Sequence, residues 1–94
     1  MFAGVTIVRD EFNVGELATA TCRSDTPATL MEWIRNGEVV ASATSTQILV
    51  LSVSLVNDSI HGQVYVCRVT RDEGMVARQN FTVQVNGMSL ELCF

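Results

Sequence analysis

Ala18-Thr19-Ala20-Thr21-Cys22-Arg23, followed after a short polar interval by Met31-Glu32-Trp33-Ile34-Arg35-Asn36-Gly37, decides how this chain folds. In the first segment, period-two alternation puts Ala18, Ala20 and Cys22 on one face and Thr19, Thr21 and Arg23 on the other, the pattern of a half-buried strand. Small inward residues leave room for a large neighbour. In the second segment Met31 and Trp33 share a face, and Trp33 is the large residue available to fill that room. Asn36-Gly37 then closes a hairpin, because both central positions of a type I′ turn need φ > 0, which Asn and Gly tolerate.

Working outward, the only Pro sits in the interval Ser24 to Ala28, which reads as a turn between two strands. After Gly37, Glu38 to Ala41 reads as a short returning strand and Ser42 to Thr46 as a polar crossing. Gln47 to Val56 is a long strand with Leu49, Leu51 and Val53 inward. Asn57 to Gly62 is turn-like; Gln63 to Arg71 is a strand with Tyr65, Cys67 and Val69 on one side. Asp72-Glu73-Gly74 makes a second hairpin turn, and Met75 to Val85 returns with Phe81, Val83 and Val85 inward. Gly4 to Arg9 alternates weakly, as an edge strand does. No dozen residues carry the 3.6-residue apolar repeat of a helix. The expected class is all-β, with six or seven strands.

Composition sets bounds on function. With 94 residues, 48% hydrophobic and 17% charged, the chain has the size and apolar content of one folded domain. Residues 1–86 are expected to form it, with 87–94 a tail or linker. The formal charge of −4, with six Lys or Arg scattered along the chain, offers no basic stripe for nucleic acid. The longest apolar candidate for a membrane span, Ile48 to Val56, is broken by Ser52 and Ser54. Arg9, Asp10, Glu11 and Glu16 interrupt any leader-like run near the start. The lone His61 has no second His or acidic cluster beside it, so neither a zinc site nor a Ser-His-Asp set is expected, and no enzyme or cofactor is predicted.

Cys22, Trp33 eleven positions later, the Trp-Ile-Arg-Asn-Gly run and Tyr65-Val66-Cys67 together resemble the immunoglobulin superfamily over roughly Val5 to Val85. The resemblance implies an antiparallel β-sandwich in which a disulfide between Cys22 and Cys67 joins two sheets about 10 Å apart, the Trp33 indole packs against it, and the Tyr65 hydroxyl pins a corner. Two buried free thiols, as in intracellular muscle-type domains, are the alternative for that pair. The cysteines stand 45 positions apart. That is short for a variable-type domain, so an intermediate or constant-like set with no long hairpin after Glu38 is expected. Closing such a loop in the unfolded chain is worth about 4 kcal/mol. One departure concerns the corner, where the family commonly places Asp six residues before the second Cys. His61 stands there instead, followed by Gly62 and Gln63.

The implied function is protein recognition or adhesion at a cell surface or in the extracellular space, with a structural spacer as the alternative. If Trp33, Tyr65 and Cys67 face inward, Ile34, Val64 and Val66 face outward on the same sheet, flanked by Arg68 and Arg78: an apolar patch with a basic rim, suited to a protein partner. Ile48 and Val50 form a second outward set on the opposite sheet, beside Thr19 and Thr21, suited to an adjoining domain or a symmetry mate. A homodimer is therefore among the partners considered. Asn57-Asp58-Ser59 and Asn80-Phe81-Thr82 match the glycosylation acceptor pattern. Five asparagines and 16 Ser or Thr among 94 residues yield about one chance match, so the two sites support secretion weakly. Cys93, in the tail, is read either as a link to a neighbour or as an inconsequential thiol.

Overall fold

The computed structural model describes residues 4–86 with the exception of residue 73. The tail 87–94 and Cys93 therefore lie outside the described residues. Among the described residues seven strands occur in the order β1 (Val5–Arg9), β2 (Phe12–Asn13), β3 (Ala18–Arg35), β4 (Glu38–Val53), β5 (Val64–Thr70), β6 (Val76–Thr82) and β7 (Val85–Asn86), with one 3-10 turn at Asp58–Ile60. No α-helix occurs among the described residues.

The spine is the β3–β4 hairpin, which runs through both layers. Its outer part, Ala18 to Arg23 against Ile48 to Val53, takes β1 on its other side and forms sheet one. Its inner part, Ala28 to Arg35 against Glu38 to Thr46, pairs with β5, and β5 pairs with β6, forming sheet two. All these pairings are antiparallel. A separate ribbon, β2 against β7, is parallel, with Phe12 opposite Val85. The hairpin turn sits at Asn36 (φ 53°) and Gly37 (φ 78°), as its chemistry requires.

Between Arg23 and Ala28 the ladder breaks register, so that Ser24 to Pro27 face the single residue Gln47 on β4. Such a bulge bends and twists a strand, which here carries the hairpin from one sheet to the other. The Gln47 Nε2 donates to the Ser24 carbonyl at 3.2 Å, and Pro27, with no N–H to offer a ladder, sits where none is needed. Arg71 ties the bend down from β5's end, donating to Ser24 Oγ at 2.9 Å and Thr26 Oγ1 at 3.0 Å.

These pairings correct several boundaries read from the sequence. The stretch Ser24 to Ala28 holds a bulge, Ser24 to Pro27, within one strand rather than a turn between two, because Ser, Asp, Thr and Pro suit both. Ser42 to Thr46 stays in the ladder instead of crossing free of it, with Ser45 at φ 52° absorbing the bend. Glu38 to Val53 is therefore one continuous strand, longer than the short return read from the sequence, and no further hairpin follows Glu38 before β5 among the described residues. The final strand divides: β6 ends at Thr82, and Val85–Asn86 leaves to join β2.

The two sheets close on a shared core. Cys22 on β3 and Cys67 on β5 are disulfide-bonded, with Cα atoms 6.4 Å apart. Trp33 lies directly opposite Cys67 in the β3–β5 register and is fully buried. Its indole N–H donates across to the Leu49 carbonyl of sheet one at 3.1 Å, so burial leaves no unpaired donor. Tyr65 stacks on Phe81 with centroids 5.7 Å apart, and both meet Trp33 edge-on.

Candidate functional site: the outer face of sheet two

Alternation along β5 points Tyr65, Cys67 and Val69 into the core and turns Val64, Val66 and Arg68 outward. The antiparallel register then decides their neighbours. Val66 lies opposite Ile34 on one side and Asn80 on the other, and Ile34 lies opposite Val39. This makes a row, Val39–Ile34–Val66–Asn80, across four strands. Val64, half exposed, extends the row beside Thr82. Cross-strand neighbours stand about 5 Å apart, so Val39, Ile34 and Val66 form continuous apolar surface.

The next row differs from the predicted basic rim. Glu32 lies opposite Arg68, and Arg68 opposite Arg78. Glu32 is only 9% exposed although it points outward, because the Arg68 guanidinium lies over it: Nε donates to Oε1 at 2.8 Å and Nη2 stands 2.7 Å from the same oxygen. A charge-assisted contact of this kind holds the arginine in place and cancels its charge locally. Arg68 is thus part of the floor of the patch. Arg78 is exposed and forms no ion pair among the described residues, so it supplies free positive charge beside the apolar row.

Glu32 had not been singled out from the sequence. The signal existed: once Trp33 is set against Cys67, an antiparallel register necessarily sets Glu32 against Arg68 and Ile34 against Val66.

Asn80 faces outward and is exposed, one strand away from Val66. A glycan there would stand directly over the apolar row. Asn57 lies away from this face, beside the 3-10 turn, where its Oδ1 accepts hydrogen bonds from the Ser59 N–H at 2.9 Å and from the Ser59 hydroxyl.

The corner near His61 is built differently from the family pattern. The Tyr65 hydroxyl makes no hydrogen bond to protein among the described residues; Tyr65 serves through its ring. His61 Nδ1 instead accepts the Val85 N–H at 3.1 Å, while the Gly62 N–H reaches the Val83 carbonyl and the Val83 N–H reaches Gln63. His61 thereby locks the start of β5 to β7. An open hollow of about 590 Å³ lies alongside, walled by Arg9, Glu11, His61 and Gln84. Arg9 leans over the Phe81 ring there, 5.0 Å from its centroid.

Comparison with known proteins places this geometry. No protein-family model and no curated protein matches the chain. Solved structures do. One is a chain from the structure described as the structural basis of T cell specificity and activation by the bacterial superantigen toxic shock syndrome toxin-1. It is 16% identical, with a TM-score of 0.70 over 89% of this chain and 99% of that one. Another is the human B7-H4 IgV-like domain, 14% identical, with a TM-score of 0.68 over 88% of this chain and 96% of that domain. The fold is therefore an immunoglobulin-like two-sheet β-sandwich with its inter-sheet disulfide formed. At these identities the likeness shows the fold alone.

Proposed function

We propose that this domain is an extracellular protein-recognition or adhesion module of a cell-surface or secreted protein, and that it binds a protein partner through the outer face of sheet two. The observation that carries this reading is the continuous row Val39–Ile34–Val66, with Val64 beside it, over the Glu32–Arg68 pair. Apolar surface next to held and free charges is what specific interfaces use: apolar area for affinity, the Arg78 charge for orientation. The Cys22–Cys67 bond supports an oxidising compartment, where such bonds persist. The likeness to an IgV-like domain and to a structure concerned with T cell activation agrees with protein recognition. Assignment to an intermediate or constant-like set rests on the cysteine spacing and on β4 being one strand, with no further hairpin between β4 and β5 among the described residues.

A structural spacer is the second reading, and one observation favours it: Asn80 lies opposite Val66, so a glycan on Asn80 would cover the row. Fluorescent multimers of the domain, made in a secretory host and applied to panels of intact cells, separate the two. We expect staining that is lost in Val66→Glu and kept in Val50→Asp on the opposite sheet. Staining no stronger than a carrier without the domain would return the chain to the spacer reading.

A further inference from the structure

Sheet one has an outer face of its own, and its chemistry is unlike that of sheet two. The register sets Val8 of β1, Thr21 of β3 and Val50 of β4 in one row, and Thr6, Arg23 and Ile48 in the next. Val8 is 66% exposed, Val50 47% and Ile48 44%. On the far side of the central row, Thr19 faces outward and holds Asp10: its N–H and hydroxyl both donate to Asp10 Oδ2, at 2.9 and 3.0 Å. One cation therefore stands one row above a flat apolar centre, and one anion one row below it. No acceptor asparagine lies in these rows.

We propose that this face is the self-association surface of the domain, occupied by a second copy of the same chain. Two identical faces pack face to face about a two-fold axis lying between them, and an interface of that kind must be self-complementary. An axis running along the Val8–Thr21–Val50 row inverts the order of the rows. Val8 then meets Val8 and Val50 meets Val50, while Arg23 of each copy lies over Thr19 and Asp10 of the other, twice per dimer. An axis along the strands would instead set Arg23 against Arg23, so charge selects the first arrangement. The face is small. Three strands about 4.8 Å apart and about five residues of 3.4 Å each span roughly 15 by 17 Å, below the standard interface size, so weak association with a Kd of about 10 to 100 μM is expected.

The test is sedimentation velocity of the full chain carrying Cys93→Ser, which removes covalent pairing through that thiol. Samples should run from about 1 to 500 μM, bracketing the weak affinity expected of so small a face. Reversible dimers of the 10.3 kDa chain are expected, with Val50→Asp monomeric throughout and its circular dichroism unchanged. Arg23→Glu and Asp10→Lys should each weaken association about tenfold, and an equimolar mixture of the two should restore it, because both contacts are again opposite in charge. Should Asp10→Lys fail to fold, salt replaces it: raising salt should weaken wild-type association and strengthen that of Arg23→Glu. A monomer at every concentration would overturn the proposal, whether the face is then bare or covered by residues 87–94. So would a dimer that survives Val50→Asp but is lost in Val66→Glu, which would assign the contact to sheet two.

Discussion

The outer faces of the two sheets are built from the same β-alternation and finish differently. Sheet two places a carboxylate and a guanidinium directly opposite each other, so Glu32 is nearly buried beneath Arg68 on a surface that is formally outside. Sheet one places valine, threonine and isoleucine opposite one another and separates its Arg23 from Asp10 by two rows. The first face settles the Glu32 and Arg68 charges internally, keeps Arg78 free of ion pairs among the described residues, and offers Ile34 and Val66 beside the Asn80 acceptor motif. The second leaves Arg23 and Asp10 without ion pairs among the described residues, at opposite ends of an apolar centre. Alternation alone assigns a side chain to a face; only register says whether a charge is spent within the face or available to a partner.

The sharpest way to break this contrast is to remove the floor on which both faces rest. Trp33→Ala should destabilise by about 3 to 5 kcal/mol, since it empties a fully buried site between the sheets. Thermal unfolding followed by circular dichroism would show both faces lost in one lowered transition, and an unchanged midpoint would contradict the core described here. A smaller effect should discriminate between the faces. Glu32→Ala leaves Arg68 over a partly buried site without its partner and should cost about 1 to 2 kcal/mol, whereas Arg23→Ala on sheet one should change stability by no more than about 0.5 kcal/mol. Equal losses from urea titrations would mean that the Glu32–Arg68 contact is worth no more than an ordinary surface residue. The smallest effect is the most local. Asn80→Gln should leave stability within about 0.5 kcal/mol while removing one glycan from the mass of protein made in a secretory host. No mass difference would show that Asn80 carries no glycan, leaving the Ile34–Val66 row uncovered.

Much of the fold was legible beforehand because its signals are local or fixed by residue type. Asn36-Gly37 announced its hairpin, and the inward sets of β3 and β5 followed from period two. Phe12 and Val56, both buried, were not foreseen: Phe12 lies in a segment without regular alternation, and Val56, which alternation from Val53 would turn outward, bonds through its own backbone to Gly15 and Glu16. The departure at His61 was visible as a residue out of pattern. Its role was not, since the Val85 N–H it accepts lies 24 positions away.

By itself the sequence determined the all-β class and which side chains of β3 and β5 point inward and outward, since alternation and hairpin chemistry act over a few residues; the Cys22–Trp33–Cys67 core was implied by the resemblance those residues carry. Only the tertiary structure decided that one hairpin serves both sheets, that Arg68 is held by Glu32, and that Asn80 stands beside Val66. Those outcomes depend on register between strands distant in the chain. Register is set by the packing of the whole core around one disulfide and one indole.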